Sequence, residues 1–318
     1  MQIDLSIIIV TYNNEETIAD CIKSIFDLTE GMTYEIIVVD NASSDGTERI
    51  VREKHRSVHF IQTGANLGFA AACNIGLKES VGNHIVLLNP DTQLLNNALF
   101  IMSKFLKDHP EAGAVGGLLL QDKETPQRSY NLAYPSVAQA FFDTTGLSQL
   151  FQNKVPSMGI TPCMHELKIM QVSYIPGANL MFRRSELQKV GYLDEQFFMF
   201  AEDSDWCFRL TKETGLRAYF LPDARIKHTL GASAGQRSVI RARMSLKSHF
   251  RFIRKHDGLL RLFLARLVYI KVYSIKYLLA ILRYCLQSRK RSYWENEIRY
   301  YAALLKVSWL PDRAITYH

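Results

Sequence analysis

Two sets of carboxylates in this chain stand where their neighbours give them chemistry to do. An apolar run of β-branched and leucine residues, 85–88, stops at Asn89-Pro90-Asp91. Such a run, bounded by turn residues, reads as a strand buried on both faces. Pro90 cannot continue a ladder, so Asp91 is held at the strand's carboxyl end. In open α/β sheets that end is where ligands bind. A carboxylate there can hold a divalent cation through oxygen, and the cation can neutralise a diphosphate. The competing reading is ordinary turn chemistry. The second set, Glu202-Asp203-Ser204-Asp205, follows the run Phe197-Phe198-Met199-Phe200. Bulky apolar neighbours desolvate a carboxylate and raise its pKa, which suits a general base. Here the competing reading is a helix start with first-turn acids, worth roughly 0.3–1 kcal/mol each at the helix dipole.

Other polar residues sit at comparable places. Asp40 ends a second buried run, 35–39 (EIIVV), and can accept hydrogen bonds from a pyrimidine N–H or a ribose hydroxyl. An Asx turn accounts for Asn41 and Asp45 more readily than for Asp40. Asn66 and Gly68 lie on a turn entering an alanine-rich helix that also carries Asn74. Gly68 allows close backbone approach, and the helix N-terminus offers free N–H groups to a phosphate or sugar. For Asn74 a plain helix-surface position competes equally. His228 is a lone histidine, a type usually found on a surface or satisfied in a core.

The elements that would position these residues follow from the apolar pattern. Residues 5–10 (LSIIIV) form a buried strand ending at Thr11-Tyr12-Asn13, and the helix after it sets Ile18, Cys21, Ile22 and Ile25 on one face. Residues 35–39, 58–62 and 85–88 are the next strands, each after a helix. Spacings of roughly 25–30 residues match βαβ units and imply a parallel sheet with right-handed crossovers. Beyond it, 92–108 reads as a helix, 114–120 as a strand, and 130–167 as a variable loop or short-helix region. Residues 172–183 read as a strand broken at Pro176-Gly177, 202–214 as a helix, 217–221 as a strand and 227–233 as a loop. From Arg237 on the pattern is helical.

Composition narrows the class. Apolar content of 47% with 22% charged residues is that of a soluble globular protein. The five cysteines are scattered, with no CxxC pair, which speaks against a zinc site or disulfide framework and for a reducing compartment. No stretch reaches the ~18 uncharged apolar residues of a membrane span, and the first apolar run is too short for a secretory signal. The net charge of +7 is uneven: residues 237–318 hold 18 Lys+Arg against 4 Asp+Glu, or +14, leaving −7 for the rest. A basic tail on an acidic body implies an anionic partner. In that tail Val239, Ala242, Leu246, Phe250 and Ile253 share one stripe. Residues 258–286 are more apolar, but Arg261, Arg266, Lys271, Lys276 and Arg283 interrupt them over more than half the helical wheel. An interfacial helix that snorkels its basic residues fits this pattern better than a span. The competing reading is a helix packed on the catalytic domain or in a homodimer.

Taken in order, SIIIVTYNN, VVDNASSDGT, NLGFAAACN, LLNPD, PGANLMFRR, FFMFAEDSDWCFR and HTLGAS resemble the family 2 inverting glycosyltransferases of GT-A fold, in particular a bacterial rhamnosyltransferase-like branch. The resemblance covers about residues 4–235. It implies an α/β GT-A domain, a mostly parallel Rossmann-like sheet flanked by helices, over 1–235, with a nucleotide half to about 120 and an acceptor and base half after it. A basic helical extension, 236–318, follows. It implies a nucleotide-sugar site at Thr11, Tyr12, Asn13, Asp40, Asn66, Gly68, Asn74, Asn89, Asp91 and Gly177. Asn89 takes the place of the first carboxylate of the family's DxD metal motif, so the divalent cation, Mg²⁺ or Mn²⁺, falls to Asp91, with His228 completing its shell or donating to a phosphate. His228 shares its motif with Gly231 and Ser233, in a loop that folds over the diphosphate. Many relatives carry arginine where this chain has Cys73, which leaves the diphosphate more dependent on the metal. Asp203 takes the catalytic-base position, and Glu202, Asp205 and Trp206 lie on the acceptor side.

The expected reaction is transfer of a sugar from a dTDP-rhamnose-like or UDP-sugar donor to a saccharide or lipid-linked saccharide during cell-surface polysaccharide synthesis. It would take place in the cytoplasm, at an anionic inner face of the plasma membrane, with no nucleic acid involved. A sugar-phosphate nucleotidyltransferase would instead show a glycine-rich basic loop after the first strand, where this chain has Thr11-Tyr12-Asn13-Asn14-Glu15-Glu16. A non-catalytic membrane or nucleic-acid module would have no use for Asp91 and Asp203 together.

Overall fold

The structure is a computed structural model that describes residues 3–122, 124–145, 167–229, 238–287 and 290–310. The chain forms two compact units. The first comprises Met1–Tyr134, Thr161–Phe198 and Glu202–Ala232; the second comprises Pro135–Ile160, Met199–Ala201 and Ser233–His318.

The first unit opens with β1 (Leu5–Thr11), α1 (Ile18–Leu28), β2 (Tyr34–Asp40), α2 (Thr47–Lys54), β3 (His59–Gln62), α3 (Phe69–Glu79) and β4 (His84–Leu88). These strands lie parallel in the order β3-β2-β1-β4. Alternation explains why β1 and β2 are apolar throughout. Ile7, Ile9, Ile36 and Val38 face a core shared with Ile18, Cys21, Ile22 and Ile25 of α1. Ile8, Val10, Ile37 and Val39 face a second core with Ala70, Ala72 and Leu77 of α3. A period of two supplies both layers from one strand.

The chain continues through β5 (Thr92–Leu94), α4 (Ala98–Asp108), β6 (Ala112–Leu120), β7 (Met170–Val172), β8 (Asn179–Arg183), α6 (Arg184–Val190), α7 (Glu202–Thr214) and β9 (Arg217–His228), with α5 (Val137–Thr145) in the second unit. The described sheet has nine strands in the order β3-β2-β1-β4-β8-β6-β9-β5, with β7 on β9. Beyond β4 it is mixed: β8 is antiparallel to both β4 and β6, whereas β6 and β9 are parallel.

Three expectations need correction here. Residues 92–108 are not one helix. Thr92–Leu94 pairs antiparallel with Ile226, Lys227 and His228, Asn97 caps α4, and the helix starts only at Ala98. The same pairing makes Lys227 and His228 strand rather than loop, so β9 runs seven residues past the expected end at Leu221. The break at Pro176-Gly177 separates two strands with different partners, since β7 pairs β9 while β8 lies between β4 and β6. Residues 146–166 of the anticipated variable region and 230–237, with Gly231 and Ser233, lie outside the described residues.

In the second unit α8 (Val239–Leu286) is interrupted at Gly258, whose φ is +88°, and is followed by α9 (Arg291–Trp309). Leu246, Phe250 and Ile253 from before the break join Leu262, Ala265, Tyr269, Leu304 and Val307 in a separate core. No helix among the described residues is long and apolar enough to cross a membrane.

The β6–β9 pairing carries an irregularity between Gly117 and Leu118. A Cβ at Gly117 would lie 2.3 Å from the Ala224 carbonyl oxygen, a backbone atom that cannot step aside. Gly117→Ala is therefore expected to destabilise the protein by roughly 1–3 kcal/mol, the usual cost of overpacking. Urea unfolding checks this, and an unchanged midpoint would contradict the close approach.

Candidate active site

At the end of β1 and β2, Thr11 pairs with Asp40. Asp40 is fully buried, and its loop occupies it: Oδ2 accepts from Ser43 N–H at 3.1 Å and Gln62 Nε2 at 2.6 Å, and Oδ1 accepts from the Ser43 hydroxyl. Asn13, in the left-handed region at φ 55°, accepts from Ser44 N–H at 2.8 Å. Tyr12 beside it remains 49% exposed. Asn66 Oδ1 accepts from Asn41 Nδ2 at 2.9 Å and from Gly68 N–H at 3.1 Å, which holds the turn into α3. Gly68 has φ +85°, and a Cβ there would meet the Phe198 carbonyl oxygen at 2.5 Å, so this turn requires glycine. Asn74 faces inward. Its amide donates to Leu193 C=O and Glu195 Oε1, both at 2.9 Å, and its Oδ1 accepts from Leu193 N–H at 3.0 Å. It braces Leu193 and Glu195, with its side-chain amide and carbonyl both engaged there.

At the end of β4, the antiparallel pairing of Thr92 with His228 sets the imidazole across from Asp91. His228 Nε2 lies 3.3 Å from Asp91 Oδ1 and 3.3 Å from Asn89 Nδ2. Both ion-pair side chains are mostly buried, at 12% and 17% exposure. An imidazole nitrogen and a carboxylate oxygen converging on one point form a donor pair suited to a divalent first-row cation. Among the described residues no three His, Cys, Asp or Glu side chains cluster to hold a metal. The remaining ligands would therefore come from substrate oxygens and water, as is usual where a metal bridges phosphates.

At the start of α7, Asp203 Oδ2 accepts from Gly177 N–H at 3.0 Å, and Oδ1 accepts from Ser204 N–H at 2.6 Å and the Ser204 hydroxyl at 3.2 Å. Burial raises the Asp203 pKa above the ordinary carboxylate value; these hydrogen bonds and the Arg128 charge pull the other way. Glu202 is 5% exposed and its Oε2 has no hydrogen-bond partner. Burial, and then the charge of Asp203, push its pKa well up. A carboxyl so placed holds its proton. Gly177, expected at the nucleotide, gives its N–H to Asp203.

Asp205 and Trp206, expected on the acceptor side, belong to the core. Asp205 is fully buried against Arg209 Nε at 2.9 Å. Trp206 is fully buried too, donates from Nε1 to Gly191 C=O at 2.9 Å, and packs on Phe182 with ring centres 4.3 Å apart. They sit three and four residues along a helix whose first turn carries the acids, on its inward side. Two residues that the sequence did not single out adjoin the site. Arg128 acts on Asp203, and Gln127 contacts His228. Both follow β6 in a stretch without hydrophobic period, and nothing in their spacing marks them.

Comparison with known proteins adds to this geometry. The pattern described as Glycosyl transferase family 2 matches residues 6–191. The chain is 27% identical over 271 residues to N-acetylglucosaminyl-diphospho-decaprenol L-rhamnosyltransferase of Mycobacterium tuberculosis, spanning 80% of this chain and 85% of that protein. It is 24% identical over 235 residues to the dTDP-rhamnosyl transferase RfbF of Shigella flexneri, spanning 73% and 71%. Among solved structures, the mannosyltransferase PcManGT of Pyrobaculum calidifontis in complex with GDP-Man and Mn²⁺ superposes with a TM-score of 0.56 at 18% identity, over 97% of this chain and 88% of that one. This last likeness is one of fold, and the fold is the GT-A architecture expected from the motifs.

Glu202 provides a test of the acid pair. Because its folded pKa lies above that of an unfolded glutamate, about 4.3, the folded state binds more protons between those two values. Its contribution to stability is therefore present at low pH and lost as pH rises through the window. Glu202→Gln imposes the neutral form, so the variant is expected to gain stability relative to wild type between about pH 5 and pH 8. Thermal denaturation across that range checks it; a pH-independent difference would show Glu202 ionised in the fold.

Proposed function

The chain belongs to glycosyl transferase family 2, and from that premise we propose that it moves a sugar, with inversion, from a nucleoside diphosphate donor to a hydroxyl of a saccharide or lipid-linked saccharide in cell-surface polysaccharide synthesis. One observation carries the reading. The turn at Gly177 and Ala178 holds both chemical ends: Gly177 N–H donates to Asp203, and Ala178 C=O accepts from Asn89 N–H at 3.1 Å, two residues before Asp91. A base for the acceptor and an anchor for the departing diphosphate are thereby set on one backbone segment.

Asp203 takes the acceptor proton as the hydroxyl oxygen attacks the anomeric carbon from the face opposite the nucleotide. Its pKa is shifted upward, the direction that suits a base. Asp91 Oδ1 and His228 Nε2 would hold Mg²⁺ or Mn²⁺, which supplies Lewis-acid neutralisation of the departing diphosphate. Exposed Tyr12, beside the loop ordered by Asp40, offers a ring to the nucleotide base. The names of the rhamnosyl-transferring relatives support a dTDP-rhamnose-like donor, with a UDP-sugar next, and a lipid-linked diphospho-sugar acceptor.

The second unit supports attachment to the inner, anionic face of the cell membrane. After Gly258, Leu260, Phe263, Leu264, Leu267, Ile275, Leu278, Leu282 and Leu286 recur at helical spacing and are all 44–73% exposed. Exposed Arg261, Lys271 and Arg283 interleave with them. A stripe of this length combined with basic residues suits an interfacial helix lying in the headgroup region.

Two measurements test these readings. Asp203→Asn keeps the volume but cannot take a proton, so kcat is expected to fall by ~10²–10⁴-fold with donor affinity nearly unchanged. Release of free nucleoside diphosphate from a panel of nucleotide sugars is the assay, and near-wild-type turnover removes Asp203 from catalysis. Leu260→Glu with Leu267→Glu is expected to weaken binding to anionic vesicles at least tenfold, since each buried CH₂ contributes about 0.8 kcal/mol, and to spare donor binding. If the intact chain ignores anionic vesicles and these substitutions instead split a dimer, the stripe is a subunit interface.

A further inference from the structure

We propose that Gln127 is a positioning residue for the cation site, fixing the tautomer and aim of the His228 imidazole so that its hydrogen-free Nε2 faces Asp91 and Asn89. This deepens the reading above and rests on its cation site.

The backbone brings Gln127 there by a tight return after β6. Asp122 Oδ1 accepts from Glu124 N–H at 2.8 Å and Thr125 N–H at 2.7 Å, and Gln121 N–H donates to Thr125 C=O at 2.7 Å. Leu120 then bridges to Pro126, and Gln127 N–H donates to Leu119 C=O at 2.8 Å. Because Leu120 also pairs with Lys227 of β9, the residue laid back along β6 arrives beside His228.

Two contacts made by one amide then determine the ring. Gln127 Nε2 is 2.6 Å from the His228 carbonyl oxygen, which can only accept, so the atom there must be the amide nitrogen. That leaves Oε1 facing His228 Nδ1 at 3.2 Å. An amide oxygen can only accept, so Nδ1 carries hydrogen. In the neutral ring the lone pair is then on Nε2, where it accepts from Asn89 Nδ2 at 3.3 Å with Asp91 Oδ1 also 3.3 Å away, so a cation there would take the place of the Asn89 N–H. Two acceptors, an imidazole lone pair and a carboxylate, are thus aimed at one point, the arrangement a cation completes. Metal-bound histidines generally pass their other N–H to such a partner, and removing it typically costs about 10–100-fold in affinity. Gln127 differs from the usual carbonyl or carboxylate partner in gripping both the ring and its own backbone, which fixes the angle of the ring as well as its tautomer.

The experiment uses the full chain and Mn²⁺ with UDP or dTDP, following free Mn²⁺ by electron paramagnetic resonance without turnover. Gln127→Met keeps the length but neither hydrogen bond, and is expected to weaken Mn²⁺ binding by about 10–100-fold. Gln127→Glu keeps an acceptor for Nδ1–H and is expected to recover most of that loss. Equal Mn²⁺ affinity in wild type and Gln127→Met overturns the proposal while leaving the cation site standing. Absence of Mn²⁺ binding by wild type overturns the cation site itself, and this proposal with it. Histidine ¹⁵N spectra of the metal-free wild type are independent of how either variant folds. They are expected to show His228 with hydrogen on Nδ1, and an Nε2–H tautomer overturns the assignment.

Discussion

The turn at Pro176-Gly177-Ala178 is the constraint on which the candidate site depends. Asn179 N–H closes it onto Pro176 C=O at 3.2 Å, and the buried Asn179 side chain anchors it by donating to Gly117 C=O at 2.9 Å. From there its polar backbone groups point in two useful directions, to Asp203 and to Asn89. Two of the donors on Asp203 come from Ser204, the next residue along, so they move with it. Gly177 comes from a different element and therefore fixes the carboxylate relative to the sheet. A side chain at 177 would start with its Cβ 3.0 Å from the Phe69 ring and would press on it. The antiparallel pairing of Leu88 with Asn179 is what brings this turn to the carboxyl end of β4, where Asn89 and Asp91 begin.

Burial raises the pKa of both neighbouring acids, and their hydrogen bonds then set them apart. Asp203 keeps three hydrogen bonds and the influence of Arg128, so its ionised form stays accessible although its pKa is raised. Glu202 has an oxygen with no partner and adds the repulsion of Asp203, so its neutral form wins. A pair in which environment separates two otherwise similar carboxyls is the usual way one site obtains a single base. Cys73 belongs to the same surroundings. Burial pushes its thiol well up, and the charge of Asp203 adds to that, so it stays neutral. The position where the family resemblance implies an arginine is here part of the wall around the acids, so on the proposed reading neutralisation of a diphosphate would fall to a cation held by Asp91 and His228.

Much of the first unit was legible because its signals are local. The runs in β1, β2 and β4 and the stripe Ile18, Cys21, Ile22 and Ile25 carry their period within a few residues, and all four stripe residues are buried as read. Asp40 and Asp91 stand at strand ends because their runs stop there. What escaped was set at long range. Thr92–Leu94 has no strand pattern of its own and becomes a strand only because β9 arrives beside it. The inward turn of Asn74 depends on Leu193 and Glu195, more than a hundred residues later. The opposite fates of Asp203 and Asp205, two apart on one helix, depend on which side of α7 meets Arg209 and which meets Gly177. Gln127 had neither a period nor a familiar neighbour.

The division between bracing and open residues bears on selectivity. Asp40, Asn66, Asn74 and Gly177 have their polar groups satisfied by the protein itself. They hold loops at fixed positions before any substrate arrives, and such preorganisation lets the few open groups act without rearrangement. The groups offered to a substrate on the proposed reading are Asp203, held by three donors but only half-buried, Asp91 with His228, and the exposed ring of Tyr12. In their proposed roles, a proton acceptor and a pair of cation ligands would specify a reaction, while neither recognises one sugar over another. Residues that carry the family's motifs therefore report how the site is held more than which sugar it holds. This accords with a fold shared between this chain and a mannosyltransferase captured with GDP-Man, while its sequence relatives include a dTDP-rhamnosyl transferase. Choice of sugar must then rest on side chains outside the motifs. Arg128, whose charge acts on Asp203 and which is absent from every motif quoted for the family, is the first of these to weigh.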